Sequence, residues 1–423
     1  MTLTERDQKV IWHPFTRQKN RLPPVPIASG SGTLLFAEDG TQFIDAISSW
    51  WVTLHGHAHP YIAEQLYKQA LQLEQVIFAG FTHEPAVRLA ERLLPILPGN
   101  FSRVFYSDNG STSTEVALKM AIQFWWNKEQ LHRKKILAFT NAYHGDTFGA
   151  MSVSDRSVFT MAFHELLFEV IFIDTPSGEN INQLNATVKE HGDEIAAFIY
   201  EPLVQGAGGM KMYDAQYMDQ LLYTVKQHNI ICIADEVMTG FGRTGKLFSS
   251  EYITVKPDII CLSKGLTGGT MALGVTACTN EIYEAYVNDD QYKTFFHGHS
   301  FTANPLACTA ALASLDLLES TSGMERVAWI SAENKLFAER LAGSERAIKA
   351  LRTLGTIIAF EMNTGKDEYL NSVSAVFTQK AMENGVYLRP LGNTVYIMPP
   401  YCITENELQE VYNCIEKVLD DLL

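Results

Sequence analysis

Residues 231–246 read "ICIADEVMTGFGRTGK". The apolar run from Ile231 to Ala234 closes on two acids, Asp235 and Glu236, and Gly240 to Lys246 then spells G-x-x-x-x-G-K. That spelling suggests a nucleotide-binding P-loop, with the acids as a Walker B strand. Two features oppose it. A P-loop follows one strand and its acidic strand comes much later, whereas here Gly240 follows Glu236 by four positions. A P-loop also needs Ser or Thr after its lysine to bind Mg²⁺, and Leu247 stands there. The stretch is better read as a buried strand that delivers an aspartate to its carboxyl end, followed by a glycine-rich turn.

Working outward, similar runs recur: "SRVFYS", "KILAFT", "EIAAFIYEP" and "PDIICLSK". They alternate with longer segments of helical period, the pattern of an α/β protein with a largely parallel sheet. Ligands of such sheets bind outside the carboxyl ends of the strands. The residues that follow these runs are therefore expected in one crevice: Asp108 to Ser111, Tyr143 to Asp146, Glu201, Asp235 and Lys264. From about residue 311 the texture changes to long amphipathic stretches, "ENKLFAERLAG" and "NELQEVYNCIEKVLDDLL", around two strand-like runs, "GTIIAFEM" and "NTVYIMPPY". The expected division is a large domain over 61–310 and a smaller α+β domain made of 311–423 with the first 60 residues.

A chain of 423 residues suits about two or three domains. Its formal charge of −15 opposes nucleic acid or an anionic membrane as partner. A small-molecule substrate is expected. The six cysteines form no C-x-x-C pair and several lie in apolar runs, which suits a reducing cytoplasm. "MTLTERDQKV" has no apolar signal region, and no segment offers ~20 uninterrupted apolar residues for a membrane span.

"YSDNGSTSTEVALKMA" follows the strand ending near Ser107. Thr112 with Glu115 is a capping-box pattern for a helix whose buried stripe is Val116, Met120 and Phe124. Gly110 permits close backbone approach, and Ser111 with the first helical N–H groups offers donors to an anion such as phosphate. The same stretch also fits an ordinary capped helix. Asp235 and Lys264, 29 positions apart, each end an apolar run. A lysine in such a cleft can form a Schiff base with an aldehyde cofactor, and an aspartate can keep a pyridine nitrogen protonated. The pair fits a structural ion pair equally well.

"ICIADEVMTGFGRTG" followed by "PDIICLSKGLTGG" resembles the signature of the class III pyridoxal-phosphate aminotransferases, which have fold type I. The resemblance extends through "IWHPFT", "SSWWVTLHGHAHP", "YHGDTFGAMS", "EPLVQGAGGM", "HGHSFTANPLAC" and "VYIMPPY", from residue 11 to about 402. These flanking motifs are similar to those of the family members that aminate 8-amino-7-oxononanoate to 7,8-diaminononanoate in biotin synthesis, with S-adenosyl-L-methionine as donor. The fold implied is a large domain with a mostly parallel, seven-stranded type of sheet between helices.

The resemblance also implies roles. Lys264 would carry pyridoxal 5′-phosphate and shuttle protons, Asp235 would bind the ring nitrogen, and Tyr143 would stack on the ring. Gly110 and Ser111 would hold the phosphate, which His299 and Ser300 of a second subunit would complete, making a homodimer part of the active site. Trp51 would wall the substrate pocket, Gly298 would line it, and Arg389 would take the keto acid's carboxylate. Close relatives often carry tyrosine where this chain has Phe15, a substrate-recognition position, and some have Pro-Thr in place of His299-Ser300. A related group that looks adapted to L-lysine as donor shares the phenylalanine and "HGHS". Trp50, Trp51, "HPF" and "MPPY" favour S-adenosyl-L-methionine.

Two other classes compete. The alternating histidines of "HGHAH" (His55, His57, His59), with His297 and His299, have the spacing of ligands in a metal-dependent hydrolase, but that reading leaves Lys264 and the phosphate loop unexplained, and no metal is expected. A non-enzymatic descendant of the fold would be expected to have lost Lys264 or Asp235. Both are present.

Overall fold

The computed structural model describes residues 1–19, 21–344, 346–363 and 372–422. Its centre is a seven-stranded sheet. In chain order the strands are β1 (Phe101–Ser107), β2 (Lys135–Phe139), β3 (Val170–Ile173), β4 (Ile195–Tyr200), β5 (Ile231–Asp235), β6 (Ile259–Leu262) and β7 (Gly274–Thr279). In space they run β1-β7-β6-β5-β4-β2-β3. Every pair is parallel except the two that β7 makes with β1 and β6.

Strands β4, β5 and β6 are buried at every position because helices cover both faces. That is why they read as unbroken apolar runs rather than alternating ones. One face receives Val116, Met120 and Phe124 of the helix Gly110–Asn127, packed with Ile199, Ile233 and Ile259. The other receives the helix Ala215–Gln227 through Leu221, Leu222 and Val225. In the register of β5 on β6, Asp235 lies opposite Cys261. Lys264 therefore leaves the carboxyl edge of the sheet beside Asp235, on the adjacent strand.

The chain's two ends meet in a four-stranded sheet, where Ile27–Ser31, Leu34–Ala37 and Gln42–Asp45 are extended by Val386–Tyr387 running parallel to the last of them. A three-stranded antiparallel sheet (Ile348–Leu354, Ile357–Met362, Thr394–Ile397) packs against the helix Thr321–Ala342, and the helix Glu405–Leu422 packs against the helix Ser372–Glu383 and the strand Val386–Tyr387. The carboxy-terminal amphipathic stretch thus forms a helix, and its last residue, Leu423, falls outside the described residues. No helix of the described residues is long and apolar enough to cross a membrane.

One expectation is corrected. The helix after β1 opens at Gly110 and is capped by Asn109, whose side chain accepts from Thr112 N while Thr112 Oγ1 accepts from Asn109 N. Asn caps as well as Thr, so the helix starts earlier than the Thr112–Glu115 pattern indicates. Glu115 accepts instead from the N–H groups of Gly149 and Ala150, at 2.6 and 3.1 Å, which ties the start of the short helix Phe148–Val153 to this one.

Candidate active site

A cavity of about 660 Å³ opens at the carboxyl edge of the sheet. Of the residues expected there, it is lined by Trp51, Gly110, Ser111, Tyr143, Asp235 and Lys264. Glu201 and His144, also among the strand-end residues expected in the crevice, line it too.

Asp235 ends β5 buried, and its carboxylate is held from two sides. Val237 N donates to Oδ1 at 3.0 Å, and His144 Nδ1 lies 2.6 Å from Oδ2. Each carboxylate oxygen keeps a further lone pair, so the group can still accept a proton-bearing nitrogen from the cavity. Lys264 begins a short 3₁₀ turn with φ +43°, a left-handed conformation rare outside glycine. Its ammonium lies 4.3 Å from the centre of the Trp51 ring. Loss of water lowers its pKa to about 8, against the opposing pull of Asp235 and Glu201. Glu201, at the end of β4, accepts from Tyr143 N and Gly206 N, yet burial and then the nearby Asp235 push its pKa up to about 7.

The anion end is built by the glycine loop. Asn109 occupies the N–H of Thr112 through its side chain and that of Ser113 through its carbonyl. The N–H groups of Gly110 and Ser111, first in the helix, remain for a ligand. A Cβ on Gly110 would stand 2.7 Å from Val237 Cγ1, and one on Gly145, at φ +133°, 2.1 Å from Ser111 Oγ. Only glycine permits these approaches. Thr147 Oγ1 on the same wall is buried without a hydrogen-bond partner. A carboxylate for a ring nitrogen, a low-pKa amine and a helix N-terminus round one cavity suit pyridoxal phosphate.

Arg389 lies apart, in a neighbouring cavity of about 300 Å³ with Ser49, Trp50 and Tyr396, its guanidinium 4.9 Å over the Trp50 ring. Phe15, at φ +48°, sets its ring edge-on to Trp50 and Phe159 at 5.4 and 5.7 Å. Gly298, His299 and Ser300 do not line the Lys264 cavity of their own chain. His299 Nδ1 is 2.7 Å from Asp108 Oδ2, beside the glycine loop, while Gly298 and Ser300 are exposed. Of the histidines of the metal reading, His55 bonds Ser314, His57 bonds Asp45 and His297 Nδ1 lies 2.9 Å from Lys119 Nζ, while His59 Nδ1 is buried without a hydrogen-bond partner. Among the described residues no group of three or more His, Cys, Asp or Glu side chains is placed to hold a metal ion.

His144 and Glu201 carry more of the site than the sequence indicates. Glu201 was visible only as a strand-end acid. His144 offered one signal, its place beside Tyr143 after β2.

Residues 15–419 match the family model "Aminotransferase class-III". The chain is 47% identical, over 97% of its length and 99% of the relative's, to an adenosylmethionine-8-amino-7-oxononanoate aminotransferase of Synechococcus elongatus. It is 38% identical to the protein of that name from Helicobacter pylori, over 99% and 98% of the two chains. Among solved structures, an adenosylmethionine-8-amino-7-oxononanoate aminotransferase from Methanocaldococcus jannaschii superposes with a TM-score of 0.93 at 33% identity, covering 98% of both chains. An omega transaminase from Pseudomonas jessenii in complex with PMP superposes with a TM-score of 0.93 at 25% identity, covering 100% and 98%.

Proposed function

The chain belongs to the class-III aminotransferase family, and from that premise we propose that it transfers an amino group from S-adenosyl-L-methionine to 8-amino-7-oxononanoate, giving 7,8-diaminononanoate, with pyridoxal 5′-phosphate as cofactor. The observation that carries this is the emergence of Asp235 and Lys264 from adjacent strands into one cavity whose far end is a helix N-terminus. The names of the relatives supply the substrates. The same reading places the enzyme in the cytoplasm, in keeping with six free cysteines.

When bound, the cofactor supplies an aldehyde that carries the amino group between substrates and a protonated ring that takes up electron density from the reacting carbon. The chain does the rest. Asp235 holds the ring nitrogen's proton, and His144 and the Val237 N–H fix that carboxylate in place. Gly110 and Ser111 bind the phosphate. Burial lowers the pKa of Lys264 to about 8, which favours the neutral amine that can take a proton from the substrate carbon. Tyr143, its backbone held by Glu201, would cover the ring. Trp51 shields Lys264 from water, and Arg389 takes the keto acid's carboxylate through two parallel hydrogen bonds. Phe15, edge-on to Trp50 and Phe159, contributes an aromatic edge in place of a hydroxyl.

We assign Gly298, His299 and Ser300 to the cavity of a second copy, in a homodimer whose two sites are shared. Exposed Phe296 and Phe301 flank that loop, as expected of a surface that another chain covers. We also place the domain divisions at about residues 60 and 310, with the amino-terminal segment joined to the smaller domain.

The test is a single turnover. Holoenzyme is mixed with S-adenosyl-L-methionine or with L-lysine, freed of excess donor, and given 8-amino-7-oxononanoate. Diaminononanoate after S-adenosyl-L-methionine alone supports the proposal. Product after lysine alone overturns the donor, and product after neither overturns the function.

A further inference from the structure

The "HGHAH" motif has no part in the chemistry above, yet the geometry gives one of its histidines a task. We propose that His57 and Asp45 are positioning residues: together they lock the strained turn Ser48–Trp51 and so set Trp51 over Lys264. The role given to Trp51 rests on the proposed aminotransferase function.

The turn is unusual. Ser48, Ser49 and Trp51 all have positive φ, at 53°, 59° and 67°. Three non-glycine residues in the left-handed region within four positions cannot persist unless their surroundings fix them. Ser48 Oγ donates to Met398 O at 2.7 Å and Arg243 Nη2 to Trp51 O at 3.3 Å, but the group that engages the middle of the turn is the carboxylate of Asp45, fully buried at the end of the strand Gln42–Asp45. It accepts from Ile47 N at 3.2 Å, from Ser49 N at 2.6 Å and from Ser49 Oγ at 3.2 Å. A carboxylate whose donors all come from one turn could rotate with it. His57 prevents this, because its Nε2 lies 2.9 Å from Asp45 Oδ2.

His57 is itself held from outside the turn. Its backbone exchanges hydrogen bonds with Gly32, His57 N to Gly32 O at 2.7 Å and Gly32 N to His57 O at 3.3 Å. On its other side a Cβ on Gly30 would stand 2.7 Å from His57 Cβ, so the ring is packed against the amino-terminal hairpin. The far end of the turn delivers Trp51, buried, with its indole N–H donating to Tyr396 OH at 2.9 Å and its ring under the Lys264 ammonium. A contiguous path thus runs from the hairpin through His57, Asp45 and the turn to the amine.

On this proposal the pair acts on the site through Trp51, and the Trp51→Ala background separates that role from a general contribution to folding and from the charge of Asp45 beside Arg243. The experiment uses holoenzyme of His57→Leu, His57→Gln and Asp45→Asn, each also made in a Trp51→Ala background. The indole N–H resonance of Trp51, assigned by its loss in Trp51→Phe, reports the ring's placement. Single-turnover kcat/KM with S-adenosyl-L-methionine and the oxononanoate reports the consequence. His57→Leu and Asp45→Asn are expected to shift or broaden that resonance and to lower kcat/KM by about 10- to 100-fold, the scale of a displaced reacting geometry. His57→Gln, which can still donate to Asp45, is expected to return to within about threefold of wild type. In the Trp51→Ala background His57→Leu should add less than about threefold, since the two changes remove one interaction. An unmoved Trp51 resonance in His57→Leu, or an undiminished loss in the Trp51→Ala background, overturns the proposal. Should Asp45→Asn fail to fold, the His57 pair decides alone. A wild-type enzyme that makes no product would defeat the functional reading, while the resonance would still decide this one.

Discussion

His144 Nδ1 lies 2.6 Å from Asp235 Oδ2, joining the loop after β2 to the end of β5 beneath the cavity. Asp235 thereby has a hydrogen bond to each oxygen before any ligand arrives. Its direction is fixed by the protein, so a ring nitrogen meets a preorganised acceptor. Replacing His144 with Ala should leave one buried carboxylate oxygen without its partner and lower kcat on the order of tenfold. His144→Asn, whose amide can still donate, should lose less. Steady-state kinetics on the pair checks this, and equal losses would contradict it.

Gly110 makes the anion end depend on the absence of one carbon. In Gly110→Ala the new Cβ would stand 2.7 Å from Val237 Cγ1. Overpacking of this kind costs about 1–3 kcal/mol, which corresponds to roughly 5- to 150-fold weaker cofactor binding if the loop takes the strain. Titration of the apoprotein, followed by visible absorbance, measures it.

Glu201 ties stability to pH. Burial raises its pKa from 4.5 to about 7 in the fold. Between those values the folded apoprotein holds a proton that the unfolded chain releases. Stability therefore falls as pH rises through this window, by roughly 3 kcal/mol in total, and Glu201 exacts nothing below it. The melting temperature of the wild-type apoprotein should drop relative to Glu201→Gln between pH 5 and pH 8. A constant difference between the two proteins would contradict the shift.

Arg389→Leu removes the proposed carboxylate partner and leaves Trp50 in place. KM for 8-amino-7-oxononanoate should rise by about 10- to 100-fold. Cofactor binding should be unchanged, because Arg389 lies in a cavity separate from the one Lys264 enters.

The central strands were legible because burial on both faces leaves no polar alternation, as "ICIAD" and "IICL" illustrate. Strand β7, "GVTACT", was not: glycine and threonine break the apolar run, and Thr276 spends its hydroxyl on Ser113 O in the interior. Strand β3 is a short edge strand, preceded closely by a 3₁₀ turn that shares its apolar texture. Within the site, Asp235 and Lys264 could be read as strand ends. Their supports could not. His144 meets Asp235 across 91 positions, and the turn that presents Trp51 depends on backbone angles that "SSWW" does not announce. The helix cap after β1 was displaced because Asn109 and Thr112 are both competent caps, and local sequence did not decide between them.

Borohydride reduction of the holoenzyme, followed by peptide mapping, identifies the amine on which the chemistry turns. Reduction fixes pyridoxal phosphate to the amine that carries it. The label is predicted on Lys264 alone, with loss of turnover in step with labelling and no turnover in Lys264→Ala. A label on another lysine, or a Lys264→Ala protein that transaminates at the wild-type rate, would contradict it.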